Sequence, residues 1–241
     1  MQHTSFTSSD LYSFDASGTV RWKVTLRTAH EPALADDGSL YVASGHYEMP
    51  AASAVTALSQ DGAILWTSAV VGFPQGPVTI ATDGSLYLPV ATSSSESFLY
   101  SIDPTTGATR WRSERLYIST ASPVVEQGDH ILLLDAVGVH SFRTSDGAAT
   151  FVHDFASVLA PLPVTNGVNG SLVGTNDRLH FWAKAWSTTP KRGFDRGVIA
   201  LSDTHGTEIW SAAPFIGAVI AVGDGVFYVA GRGSLEAYSV D

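Results

Sequence analysis

Apolar and polar positions alternate in short segments of this chain, and each segment is followed by a turn signal and a large aromatic residue. In the stretch Leu99-Tyr-Ser-Ile-Asp103, serine and aspartate alternate with tyrosine and isoleucine. This period of two predicts a half-buried β-strand. Pro104 and Gly107 supply the fixed φ and the positive φ of a tight turn, and Trp111 closes a second strand. The segment therefore predicts a β-hairpin.

The same hairpin is predicted four more times, and its aromatic residue recurs at intervals of roughly 40 to 60 residues. The recurring aromatic residues are Trp22, Trp66, Trp111, Phe151 and Trp210. A second kind of hairpin, at residues 32–42, is repeated almost verbatim at 78–88. Two hairpins supply the four strands of one propeller blade. We therefore predict an all-β protein, a single β-propeller domain over residues 1–241 built from four-stranded antiparallel blades.

The number of blades stays open at this point. The predicted strands form an incomplete repeat of two strands, four complete repeats of four strands and a last repeat of three strands. This makes 21 strands. That number is five blades with one strand left over. Alternatively, the chain is an arc of a larger ring of six to eight blades.

The hairpin residues also carry a family resemblance. Tyr100-Ser-Ile-Asp103, Thr106-Gly107 and Trp111, followed by Ser122-Pro-Val-Val125, resemble the PQQ-like β-propeller repeat. That repeat occurs in quinoprotein dehydrogenases and in the outer-membrane assembly lipoprotein of Gram-negative bacteria. The resemblance implies that Trp22, Trp66, Trp111 and Trp210 dock between neighbouring blades, and that Phe151 replaces tryptophan at the same position.

Charge and composition exclude several classes of function. The net charge of −10 argues against nucleic-acid binding, which requires a basic surface. No run of about 18 apolar residues occurs, so we expect no membrane-spanning helix. The chain has no cysteine, which excludes disulfides, thiolate metal sites and the vicinal cysteines of quinone enzymes. We therefore expect no PQQ and no other cofactor.

The long predicted connections all join the second and third strands of a repeat, at residues 44–53, 92–97 and 185–197. Length variation on one face is typical of a binding surface on a rigid scaffold, and surface insertion without a function is the alternative. The candidate binding residues are aromatic, charged or histidine: His46, Tyr47, Glu48, Trp186, Arg192, Asp195 and Arg196. Links between blades add Arg27, His30, Glu31, Phe73 and Tyr117 to the same face. Trp186 either packs onto its own blade or contacts a ligand.

Catalytic and metal-binding motifs are absent from the sequence. His30 and His46 could meet with Glu31 and Glu48 in a metal site, but ordinary surface histidines are the favoured interpretation. We predict a non-catalytic binding or scaffold propeller, bacterial, periplasmic or secreted, that binds a protein, small molecule or glycan on one face. A carbohydrate-active hydrolase or lyase with a site at the propeller axis is the alternative, and a fragment of a quinone-cofactor dehydrogenase is a weaker one. For the compartment, the cytoplasm is the alternative.

Overall fold

A computed structural model describes the backbone of residues 8–27, 29–46, 53–93, 96–116, 125–134, 138–154, 168–169, 172–175, 178–185, 194–202, 208–211, 217–223, 226–231 and 235–239. By their internal contacts the residues cluster into two compact units, Met1–Arg112 and Ser113–Asp241. The described residues are strands, turns and irregular segments, and no helix occurs among them. The prediction of an all-β chain is confirmed.

The first unit contains three antiparallel sheets. The first sheet pairs β1 (Ser9–Phe14) with β2 (Val20–Leu26). The second sheet orders β3 (Ala33–Leu34), β4 (Leu40–Ser44), β5 (Ala54–Leu58) and β6 (Ile64–Ala69). The third sheet contains β7 (Phe73–Pro74), β8 (Thr79–Ile80), β9 (Leu86–Ala91), β10 (Ser97–Ile102) and β11 (Thr109–Arg112), with β7 and β8 both paired to β9.

The second unit also contains three antiparallel sheets. The first of them orders β12 (Val125–Gln127), β13 (His130–Leu134), β14 (Gly138–Arg143) and β15 (Ala149–Asp154). The next contains β16 (Val168–Asn169), β17 (Leu172–Thr175), β18 (Arg178–Ala185), β19 (Phe194–Ser202) and β20 (Glu208–Ser211). The last orders β21 (Gly217–Gly223), β22 (Val226–Gly231) and β23 (Leu235–Ser239).

The order of the predicted strands is confirmed, with differences in detail. Three of the 23 described strands, β7, β16 and β17, have no counterpart among the 21 predicted ones. The sequence pattern also predicts a strand at residues 162–165, which lie outside the described residues. The predicted connection at residues 185–197 is too long, since β19 begins at Phe194. Asp195 and Arg196 therefore belong to a strand, where they pair with Lys184 and Ala183.

The hairpin that ends with the recurring aromatic residue has the same geometry in five of the described sheets. In each of these sheets the pairing of the two hairpin strands shifts register beside the turn. One residue of the last strand therefore forms a β-bulge. The next residue is always the recurring aromatic, and it always pairs with serine or alanine. The pairs are Ser13 with Trp22, Ala57 with Trp66, Ser101 with Trp111, Ser141 with Phe151 and Ala200 with Trp210.

These pairs correct the prediction of a half-buried strand at residues 99–103. Ser101 is 1% exposed, although alternation placed it on the solvent side. It pairs with Tyr87 on one side and Trp111 on the other, and the centroids of those two rings are 5.6 Å apart. Because paired residues share a face of the sheet, the two rings cover the small serine. The polar position in this pattern is therefore occupied by a small buried residue, not by one exposed to solvent.

The core of the first unit lies in the inner strands of its second and third sheets. β9 is buried along its whole length, and β5 and β10 nearly so. In the outer strands β2, β6 and β11, exposed residues alternate with half-buried ones. The buried cluster joins small residues such as Ala43 and Ala57 with large ones such as Leu88 and Ile102. This packing supports rigid ends on both sheets.

The second and third sheets each have two distinct ends. The turn end carries the tight turns at residues 35–39, 59–63, 81–85 and 103–108. The loop end carries the connections at 45–53 and 92–96 and the links at 27–32 and 70–72. Aspartates shape the turns: the Asp37 carboxylate accepts a hydrogen bond from the Ser39 N–H at 2.9 Å.

Candidate functional site

A small cavity lies at the loop end of the first unit. Its volume is about 260 Å³, and it is lined by Ala29, His30, Gly45, His46, Phe73, Pro74 and Gln75. The two histidines come from different segments, the link after β2 and the connection after β4. The structure thus brings His30, His46 and Phe73 to one place, which sequence spacing alone does not determine.

Hydrogen bonds fix the segment that carries His30. Its backbone N–H donates to Ala43 O at 2.9 Å, and Ala29 forms a bridge with Ser44. The imidazole Nε2 lies 3.2 Å from Pro74 O. The ring therefore connects the link before β3 to β7 of the next sheet.

Gly45 allows the chain to pass close to β7 at this cavity. Its φ is 151°, and a Cβ there would collide with Ser53 Oγ and lie 3.0 Å from Pro74 Cδ. Any larger residue would displace the connection that carries His46. Close packing against Ser53 and Pro74 therefore requires glycine at position 45.

The remaining candidate binding residues are only partly described. Glu31 is exposed and lines a neighbouring cavity of about 260 Å³ that also reaches His30. Tyr47, Glu48, Trp186 and Arg192 lie outside the described residues and stay predictions. Asp195 and Arg196 lie on β19 rather than in a loop. Within the described part of the chain, no three histidine, aspartate or glutamate residues are grouped as a metal site would require.

Two of the recurring tryptophans contact the next sheet. Trp22 Nε1 donates to Gln60 O at 2.8 Å, and Trp66 Nε1 donates to Pro104 O at 2.9 Å. In both cases the acceptor lies in the last turn of the following sheet, after β5 for Gln60 and after β10 for Pro104. Trp111 lies beside Tyr87, and the backbones of Phe151 and Trp210 hold the same register position.

Sequence reasoning missed a larger groove at the turn end, between the second and third sheets. Its volume is about 820 Å³. Leu34, Asp36, Asp37, Tyr41, Leu65, Trp66, Ile80, Thr82, Pro104 and Thr105 are among its lining residues. One signal was present in the sequence. The bulged position before the aromatic is Arg21 and Arg110 in the flanking sheets but Leu65 here, so an apolar residue replaces a charged one.

Ion pairing organises the turns of the third sheet beside this groove. The Arg110 guanidinium donates to Asp103 Oδ2 at 2.9 Å and to Ser85 Oγ at 2.6 Å. The bond from Arg110, together with backbone N–H groups of Thr105 and Thr106, lowers the pKa of the Asp103 carboxyl to about 2. Burial, and then the charge of Asp37, raise the pKa of the Tyr41 phenol.

No helix among the described residues has the length and apolar character needed to cross a membrane. A comparison with curated proteins finds no match. Solved structures similar to this one include BamB from Moraxella catarrhalis, with 14% identity, a TM-score of 0.54, and coverage of 92% of this chain and 80% of that one. A Bacteroides caccae protein of unknown function is 14% identical, with a TM-score of 0.50 over 83% of this chain and 73% of that one. The computationally designed Ika8 protein is 9% identical, with a TM-score of 0.53 over 92% and 75%.

At these identities the structural neighbours show the fold alone, and the fold is a β-propeller of four-stranded antiparallel blades. The family model of the outer membrane protein assembly factor BamB matches residues 7–168, about two thirds of the chain. This match contains the repeats around Trp22, Trp66, Trp111 and Phe151. The chain therefore belongs to the family of outer membrane protein assembly factor BamB.

Proposed function

We propose that this protein is a non-catalytic scaffold that binds a protein partner at the loop end of its sheets. The observation that carries the proposal is the cavity where His30, His46 and Phe73 meet over a rigid core. Binding residues on loops above a fixed scaffold are a common arrangement of interaction proteins. The family name, an assembly factor, favours a protein as the partner.

The residue types at this end suit such a surface. Imidazole and phenyl rings offer large contact areas with few rotatable bonds, and they are common in interface cores. Arg112 lies over the Phe98 ring at 4.4 Å, close to the connection between β9 and β10, and adds a cation to the same end. The sequence-predicted binding residues Tyr47 and Glu48, and Trp186 and Arg192 of the second unit, are further binding residues in our proposal.

The proposed compartment follows from the same family membership. Outer-membrane assembly takes place outside the cytoplasm, so we place the protein in the periplasm or among secreted proteins. Its acidic surface keeps such a scaffold soluble without directing it to nucleic acid.

Photo-crosslinking in the producing cells tests the proposal. A photoreactive amino acid replaces His46 at the loop end, and the matched control replaces Asp61 at the turn end. We expect a discrete cross-linked protein from position 46 that is absent from position 61. Equal cross-linking from both positions contradicts the assignment of the surface.

Affinity measurements with the cross-linked partner then test individual side chains. Trp186→Ala and Arg192→Ala should each weaken binding about tenfold, as truncated interface anchors do, with little change in melting temperature. Arg21→Ala removes the same charge from an exposed position outside the surface and should bind normally. A large loss of stability in Trp186→Ala would show that Trp186 is a packing residue.

A further inference from the structure

The groove at the turn end has the size and position of a binding site. Its volume of about 820 Å³ falls in the usual range of ligand pockets, roughly 300 to 1,000 Å³. It opens between the second and third sheets of the first unit. Its lining comes from the turns at residues 35–39 and 81–85, from β6 and from the turn at Pro104. It lies at the opposite end of the sheets from the surface proposed above, so the two sites are independent.

Apolar side chains on the sides of the groove are exposed to solvent. Leu34 is 68% exposed and Leu65 is 56% exposed, and they come from β3 and β6. Tyr41 and Trp66 also line the groove, and their ring centroids are 5.9 Å apart. A single exposed leucine is ordinary. Two exposed leucines that line one groove together with two aromatic rings form an apolar patch of the kind that binds partners.

The charge around the groove is negative. Asp36 and Asp37 are exposed and line it, and none of the described residues that line it is lysine or arginine. The bond from the Ser39 N–H lowers the pKa of the Asp37 carboxyl, so this group stays ionised at neutral pH. Arg110 of β11, next to the turn at Pro104, forms an ion pair with Asp103 at 2.9 Å. Burial is the main cause of the raised pKa of the Tyr41 phenol, and the negative charge of Asp37 adds to it.

We propose that this groove binds a short protein segment in which lysine or arginine alternates with bulky aliphatic residues. Aliphatic side chains of the segment cover Leu34, Leu65 and the two rings, and its cations pair with Asp36 and Asp37. A second copy of this chain is disfavoured as the occupant, because the protein carries a net charge of −10 and copies repel one another.

A defined peptide tests the proposal on the whole protein. The probe is a short, end-blocked, labelled peptide of alternating lysine and leucine, and its counterpart has glutamate in place of lysine. Binding is measured by fluorescence anisotropy at low and at high salt. We expect the lysine peptide to bind, the glutamate peptide not to bind, and salt to weaken binding.

Matched variants locate the binding. Asp36→Asn with Asp37→Asn removes both charges and keeps side-chain oxygens for the turn. Leu65→Thr removes apolar surface from an exposed strand position. The controls are Asp61→Asn and Ile64→Thr, which make the same changes at exposed positions outside the groove. We expect the groove variants to bind about threefold to tenfold more weakly and the controls to match the parent.

Three results would overturn the proposal. The first is equal binding of the two peptides, or no binding of the lysine peptide. The second is the same affinity in groove variants and controls. The third is concentration-dependent dimerisation in sedimentation that Leu65→Thr abolishes, which would make the groove a contact between copies. If Leu65→Thr unfolds, the double asparagine variant alone decides the question.

Discussion

Trp66 Nε1 donates a hydrogen bond to Pro104 O at 2.9 Å, from the outer strand of one sheet to a turn of the next. Trp22 makes the equivalent bond to Gln60 O at 2.8 Å. In each case the turn glycine lies against the indole: a Cβ on Gly62 would be 2.7 Å from the Trp22 ring, and one on Gly107 would be 2.6 Å from the Trp66 ring. Trp22 and Trp66, two of the recurring aromatic residues, thus make the same contact with the sheet that follows.

Substitutions of Trp66 should separate its hydrogen bond from its packing. Trp66→Phe keeps a ring but loses the donor to Pro104, and we expect it to lower the free energy of unfolding by about 1 kcal/mol. Trp66→Ala also removes the ring and should cost about 3–5 kcal/mol. Denaturant titration measures both. Equal costs for the two variants would mean that ring packing contributes little.

Gly107→Ala should destabilise the protein more than Gly84→Ala. Both glycines have positive φ, 73° and 82°, so alanine is strained by about 1–2 kcal/mol at either position. A Cβ on Gly84 meets nothing within 4 Å, whereas one on Gly107 meets the Trp66 ring. Overpacking adds about 1–3 kcal/mol to the cost at Gly107. Indistinguishable unfolding midpoints would contradict the docking of Trp66 on this turn.

Acid should remove the contribution of Asp103 to stability. Its pKa in the folded protein is about 2, below the ordinary value of 3.8, because Arg110 and turn N–H groups bind the carboxylate. A lowered pKa means that the contribution is complete above the unfolded value and is lost as pH falls from there toward 2. Asp103→Asn should therefore show a weaker decline in stability over this range. Denaturation curves at several acidic pH values test it, and an unchanged slope would contradict it.

PQQ with calcium should leave the melting temperature unchanged. A ligand that binds only the native state must raise the melting temperature. This chain has no cysteine, and we expect no quinone site in it. A saturable increase of several degrees in a thermal melt would overturn that expectation.

The sequence determined the order of strands and turns, because both depend on local chemistry. Alternating residues before an Asp-Gly or Pro-Thr-Thr-Gly turn specify a hairpin wherever they occur. Repetition of that pattern then indicated four-stranded sheets and a propeller, and the family match agrees. The sequence also showed the recurring aromatic residues. It did not show that the indole N–H groups of Trp22 and Trp66 donate to the carbonyl oxygens of Gln60 and Pro104.

Tertiary structure decided what the local pattern does not contain. Alternation placed Ser101 in solvent, but the rings of Tyr87 and Trp111 cover it, since a small residue is needed between them. The strand pairing of Asp195 and Arg196 depends on a partner strand rather than on their own sequence. The turn-end groove joins residues from Leu34 to Thr105, which are distant in the chain. Only the packing of one sheet on the next brings such residues together, because sequence periodicity specifies the faces of a strand and not its neighbours.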